Sequence, residues 1–176
     1  MPVYNEESFI KMAIIKVINA DVGKIRKEII VINDGSSDKT GYILKGLAKT
    51  YSKPRVNIKV ITLKVNSGKG RAIRVGLKHI TGQVVVIQDA DLEYDPNEFL
   101  NLLSPILSGD ADVVFGSRFM SDRPHRVLFF WHMVANKLLT LIANMFTNLN
   151  LADMETGYKM FTREEEKKLR LKERRF

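Results

Sequence analysis

VVVIQDADLEYDPNE, residues 84–98, runs from an apolar, β-branched stretch straight into five acidic residues. The apolar part has the composition of a strand, and its lack of polar alternation predicts burial on both faces. Repulsion should count against carboxylates gathered at the end of such a strand. A bound cation would account for them, and so would a plain acidic turn leading into a helix at Pro96.

The same grammar repeats on either side. EIIVIN at 28–33, IKVITL at 58–63 and DVVF at 112–115 are further strands of this kind. Stretches near 38–50, 68–80 and 96–108 carry apolar residues at three and four spacing, with Asp38 and Ser67 placed as N-caps and Pro96 in a first helical turn. Alternating strands and helices predict an α/β fold with a mostly parallel central sheet flanked by helices. A length of 176 residues suits a single domain. MPVYNEES offers only a fragment of a strand before helix signals begin, and no charged-then-apolar leader precedes them.

With 28 Lys and Arg against 20 Asp and Glu, the formal net charge is +8, which favours anionic partners: nucleic acid, an anionic membrane, or phosphorylated small molecules. The chain has no cysteine, which excludes disulfides, thiolate metal sites and a cysteine nucleophile. Nucleic acid is disfavoured, because basic and aromatic residues do not interleave in a recognition motif.

A D-x-D triplet is weak on its own, and Asp110-Ala111-Asp112 is a second one. Position separates the two. Asp89 follows a strand, at the edge where open parallel sheets bind ligands, whereas Asp110 precedes one and is assigned to a turn. Along an extended backbone Asp89, Asp91 and Glu93 would share one side, opposite Ala90 and Leu92. Such a set suits a hard divalent ion, Mg²⁺ or Mn²⁺. Asp34, after EIIVIN, ends another strand in the same way. It could accept hydrogen bonds from a base or ribose, or form an Asx-type turn. NSGKGRAIR at 66–74 opens a helix with two glycines, Lys69 and Arg71, an anion-binding arrangement that is neither Walker A nor G-x-G-x-x-G. His79 is assigned to packing or surface.

Residues 127–151, VLFFWHMVANKLLTLIANMFTNLNL, are mostly apolar but interrupted by His132, Asn136, Lys137 and Asn144. The segment falls short of a spanning helix. It suits a helix lying in a membrane interface, and equally a core or dimer-interface helix.

PVYNE, NDGSSDKT, NSGKG, DADLEYDP, GSRF and DMETGYK, in that order over roughly residues 2–162, resemble the family 2 glycosyltransferases of the GT-A fold, especially polyprenyl- and dolichyl-phosphate sugar synthases. The resemblance implies inverting transfer of a hexose, with UDP-glucose and GDP-mannose as donors to test, to a polyprenyl or dolichyl phosphate. It also implies Mg²⁺ or Mn²⁺ and the cytoplasmic face of a membrane. By the same resemblance Pro2, Tyr4, Glu6, Ile32 and Asp34 match nucleotide-holding positions, Asp89 and Ala90 sugar-nucleotide contacts, and Asp89, Asp91 and Glu93 the metal region. Many polyprenyl-phosphate members have Gln where Glu93 stands. Lys69 is placed beside the donor diphosphate, Arg118 matches a phosphate-binding residue that contacts donor or acceptor, and Arg126 an acceptor-phosphate arginine. Family members have a fuller first strand and continue beyond the RRF end, so the likeness is to part of a catalytic domain. Two rival readings remain at this point: a sugar-hydroxyl acceptor, with Asp153 or Glu155 as base, and a non-catalytic nucleotide-sugar-binding domain.

Overall fold

The computed structural model describes residues 1–51, 55–116, 130–169 and 171. Among the described residues six strands and six helices follow in order: β1 (Pro2–Val3), α1 (Ile10–Asn19), β2 (Lys27–Asn33), α2 (Thr40–Tyr51), β3 (Val56–Thr62), α3 (Lys69–Leu77), β4 (Val84–Val86), α4 (Phe99–Leu107), β5 (Val113–Phe115), α5 (Phe130–Thr147), β6 (Lys159–Thr162) and α6 (Arg163–Lys168). A 3₁₀ turn, Pro96–Glu98, leads into α4, with Asp95 accepting from the Asn97 amide.

β2 shows why its run is uniformly apolar. Ile29 and Val31 face one side, packing with Ile10, Ile14 and Val17 of α1 and Leu44 and Leu47 of α2, while Ile30 and Ile32 face the other and pack with Ala72 of α3. Side chains alternate every residue along a strand, so covering both faces demands apolar residues at every position. β1, β2 and β3 pair in parallel, with Pro2 opposite Ile32 and Ile29 opposite Ile58.

The second ladder differs from expectation. β6, whose four residues carry no strong strand pattern, lies between β4 and β5 and runs antiparallel to both, with Val85 and Val113 on either side of Phe161. The α/β class stands, but the strands form two three-stranded sheets, β1-β2-β3 and β4-β6-β5. A cavity of about 640 Å³ separates them, lined by Met1, Ile30, Val84, Val86, Phe99 and Leu103 among others. Two caps also differ. Gly68, not Ser67, is the N-cap of α3, at φ 90°, a value that favours glycine. Asp38 lies one residue ahead of the cap position of α2 and receives the Thr40 and Glu7 amides.

Lys27, at the start of β2, donates to the carbonyls of Val17, Ile18 and Ala20 at 2.9, 2.5 and 2.7 Å. These carbonyls at and just past the end of α1 lack helical partners, and the ammonium also complements the helix dipole. Burial holds the Lys27 pKa below its ordinary value, partly opposed by Asp21. Replacing Lys27 by Met is expected to cost about 1–3 kcal/mol of stability. The measurement is the denaturant midpoint, which should fall at unchanged slope.

Candidate active site

The crevice lies where β1, β2 and β4 end. Tyr4, Asn5, Glu6 and Glu7 follow β1 and are clasped to the loop after β2. The Asn5 amide donates to Ser36 Oγ, and Asn5 Oδ1 accepts from the Ser37 amide. The Glu6 amide donates to Thr40 Oγ1, and Glu7 Oε2 accepts from the Lys39 amide. Asn5 adopts φ 53°, the left-handed conformation that Asn tolerates better than most residues. Sequence reading missed this clasp, because its contacts span more than 30 positions and no local pattern announces them. Tyr4 is left half-exposed at the mouth.

Asp34 is 2% exposed. Its carboxylate accepts from the Ser67 amide at 2.9 and 3.0 Å and from the Gly68 amide at 2.7 Å. A carboxylate has about four acceptor positions, so Asp34 is mainly occupied in fixing the glycine loop that carries Lys69. Gly35 makes this approach possible, since a Cβ there would lie 2.6 Å from the Val65 carbonyl carbon.

Lys69 Nζ reaches Asp89 Oδ2 at 2.8 Å. Asp91 is exposed, and its Oδ1 accepts from the Glu93 amide at 3.1 Å. Leu92 between them has φ 63°. The extended alternation therefore ends at Asp91, and the expected common face of Asp89, Asp91 and Glu93 does not form. Among the described residues no three acidic or histidine side chains gather in metal-binding proximity. Ions of the Mg²⁺ class take one or two carboxylates and complete their shell with water and phosphate oxygens. Asp89 and Asp91 fit that donor set; Glu93 is not brought into it.

Other expected contacts take different places. Ile32 packs between β2 and α3, where a Cβ on Gly76 would lie 3.4 Å from its Cγ1, and the Ala90 methyl belongs to the principal core. Neither side chain faces the crevice. Pro2 contributes to the cavity wall between the sheets. Arg118 and Arg126 lie outside the described residues. His79 Nδ1 lies 2.9 Å from the Val75 carbonyl, in keeping with a packing role. Asp110 accepts from Ser108 Oγ in a turn ahead of β5, as expected of the second triplet.

DMETGYK closes the crevice from the far side. Gly157 comes so near that a Cβ there would meet Tyr94 Cε2 at 2.6 Å and Asp89 Oδ2 at 3.2 Å. Asp153, 1% exposed, accepts from Asn136 Nδ2 at 3.0 Å and from the Glu155 amide; the same Asn136 nitrogen donates to Glu155. The loop is held from α5 by a polar ladder at four-residue spacing. Asn136 grips Asp153, Thr140 Oγ1 accepts from the Met154 amide, and Asn144 exchanges two hydrogen bonds with the Leu151 backbone. Two of the interruptions in the apolar segment, Asn136 and Asn144, thus belong to its inward side, while Lys137 is exposed. Its large apolar residues point outward: Trp131 is 76% and Phe146 88% exposed, with Phe130, Leu138, Leu141 and Met145 also exposed. No helix among the described residues is long and apolar enough to cross a membrane.

Glu6 feels this assembly. Burial first, then the negative charges of Asp91 and Asp38, raise its carboxyl above the ordinary value. For Asp38, burial pushes upward, but hydrogen bonds from Thr40 and Glu7 outweigh it and hold the carboxyl low.

The profile of Glycosyl transferase family 2 matches residues 1–170. A dolichyl-phosphate beta-glucosyltransferase of Trichomonas vaginalis is 30% identical over 178 residues, covering 93% of this chain and 52% of the relative. An undecaprenyl-phosphate 4-deoxy-4-formamido-L-arabinose transferase of Pectobacterium carotovorum is 32% identical over 155 residues, 87% of this chain and 44% of the relative. The chain spans about half the length of these relatives. Among solved structures, a mannosyltransferase of Pyrobaculum calidifontis in complex with GDP-mannose and Mn²⁺ superposes with TM-score 0.68 at 21% identity, over 95% of this chain and 44% of the other. Glucosyl-3-phosphoglycerate synthase of Mycobacterium tuberculosis, in complex with Mn²⁺, UDP and glucosyl-3-phosphoglycerate, gives 0.66 at 23% identity, over 93% and 55%. These likenesses establish the GT-A fold.

The folded chain holds the Glu6 proton to a higher pH than the unfolded chain does. Glu6 therefore penalises the folded state at neutral pH, and the penalty disappears as pH falls through its raised pKa. Asp91→Asn should move the Glu6 midpoint back toward the ordinary range in a carbon-detected carboxyl titration. An unmoved midpoint would place Asp91 out of electrostatic reach.

Proposed function

The chain belongs to glycosyl transferase family 2, and from that premise we propose that it transfers a hexose, with inversion, from a nucleotide-diphosphate sugar to a polyprenyl or dolichyl phosphate at a membrane surface. The observation that carries this reading is the pairing of Lys69 with Asp89 beside exposed Asp91, at the strand edge where the clasp and the glycine loop converge. The relatives' printed acceptors, dolichyl and undecaprenyl phosphate, support the acceptor class.

The chemistry follows from charge. A phosphate monoester has its second pKa near 6, so at neutral pH an acceptor phosphate is largely dianionic and needs no base to attack the anomeric carbon. As that bond forms, the bond from sugar to diphosphate breaks and negative charge grows on the leaving group. A divalent ion held by Asp89 and Asp91, Mg²⁺ or Mn²⁺, would supply compensating charge there. Lys69, at the end of the glycine loop, adds a second cation for the diphosphate. Tyr4, Glu6 and the clasp form the nucleotide end, while Arg118 and Arg126 are assigned to phosphate by resemblance. The hydroxyl-acceptor alternative needs a free base. Asp153 and Glu155 both accept from the Asn136 amide nitrogen; Asp153 is also buried, so exposed Glu155 is the better placed of the two but would have to give up that bond.

The outward apolar side of α5 supports membrane contact. A helix whose polar ladder is already spent on the protein presents Trp131, Met145 and Phe146 to a lipid interface, the kind of surface interfacial helices bury in headgroups.

Calorimetry with UDP-glucose and GDP-mannose, with Mn²⁺ and with chelator, should show metal-dependent binding of one donor and its loss in Asp91→Ala; no binding to the folded chain would overturn the donor site. In vesicle flotation with anionic lipid, Trp131→Ser/Phe146→Ser should reduce co-flotation several-fold at unchanged donor affinity. Equal flotation would remove α5 from the membrane contact.

A further inference from the structure

Asp89 is held by its side chain and also, through its own carbonyl, from inside the protein. Gln88 and Tyr158 are both buried. Tyr158 Oη lies 2.7 Å from Gln88 Oε1, and Gln88 Nε2 lies 2.9 Å from the Asp89 carbonyl oxygen. Only one assignment of donors is chemically possible. A main-chain carbonyl can only accept, so the Gln88 amide nitrogen must face it; the Gln88 oxygen then faces Tyr158, and Tyr158 must donate. Burial first, with Asp95 adding to it, raises the phenol far above its ordinary pKa, so the donor keeps its proton. Tyr158 is itself fixed. Its ring packs against Tyr94 at 4.6 Å and Phe99 at 5.7 Å between centroids, and its carbonyl accepts from the Gly116 amide. Tyr94 in turn accepts from the Gly157 amide at 2.6 Å.

We infer that Gln88 and Tyr158 form a positioning pair that fixes the Asp89–Ala90 peptide plane, and with it the direction in which the Asp89 and Asp91 carboxylates meet the donor diphosphate. The inference deepens the donor-site reading and rests on it for its consequence in binding. Neither residue touches the reacting atoms; they act through the peptide that joins the D-x-D residues. Buried polar groups make such a link stringent, because deleting one partner leaves the other unsatisfied in a low-dielectric setting.

Gln88→Met keeps the volume and removes both bonds, and Tyr158→Phe removes only the hydroxyl. At one fixed pH each should weaken donor affinity with Mn²⁺ about ten-fold while thermal unfolding stays cooperative. An arm without ligand keeps the two readings apart: the Ala90 backbone amide, in the same peptide plane, should shift in Gln88→Met, and shift in Tyr158→Phe together with the Gln88 side-chain amide. If wild type binds no donor while those resonances move as stated, the donor-site reading fails and the positioning of the peptide stands. If both variants keep the Ala90 resonance and the donor affinity of wild type, the pair is only packing and the inference is overturned.

Discussion

The buried carboxylate of Asp34 accepts three main-chain hydrogen bonds from Ser67 and Gly68, and the crevice is organised around that constraint. A charge so placed is stable only if amides meet it, and bonds to an ionised acceptor are among the stronger ones. The loop is therefore drawn onto the end of β2, which is possible because Gly35 carries no side chain. α3 then starts where Lys69 can reach Asp89. The charge balance of the D-x-D residues is in this way set by a residue on a different strand.

Much of this was legible in the sequence. The uniformly apolar run of β2 announced a strand covered on both faces, whereas β4 is only half-buried and β5 leaves Val113 and Phe115 exposed. The choice of Asp89 over Asp110 followed from which end of a strand each occupies. What could not be read was tertiary. β6 is four residues whose place between β4 and β5 depends on partners more than 40 positions away. The YNEE clasp depends on side chains meeting backbone across comparable distances. The carboxylate face failed at one residue, Leu92, where a left-handed turn ended the alternation that the extended reading assumed. The side chains of Ile32 and Ala90 are spent on packing, which leaves only their main chain to face a ligand.

α5 shows where reasoning from amphipathicity can invert. A helix pattern gives the apolar and polar sides without saying which faces the protein. Here Asn136, Thr140 and Asn144 face inward, because the backbone and acids of the 151–155 loop need partners that water cannot supply. Two of the residues that lowered the apolar content of the segment, Asn136 and Asn144, are also ones that attach it. One helix thus joins the loop beside Asp89 to the outward apolar surface.

The division of the strands into two sheets bears on cooperativity. Across the cavity no ladder among the described residues joins β4 to β1 or β2. The halves are held by the principal core on one side, by Glu28 accepting from Thr81, and by Lys69 with Asp89. Backbone ladders are what usually make a sheet open as one unit; here the shared principal core, with residues from both sides, takes that part instead. A ligand that touches both the clasp and the D-x-D residues would bridge the seam, and its binding energy would add to the coupling that the core already provides between the two sheets.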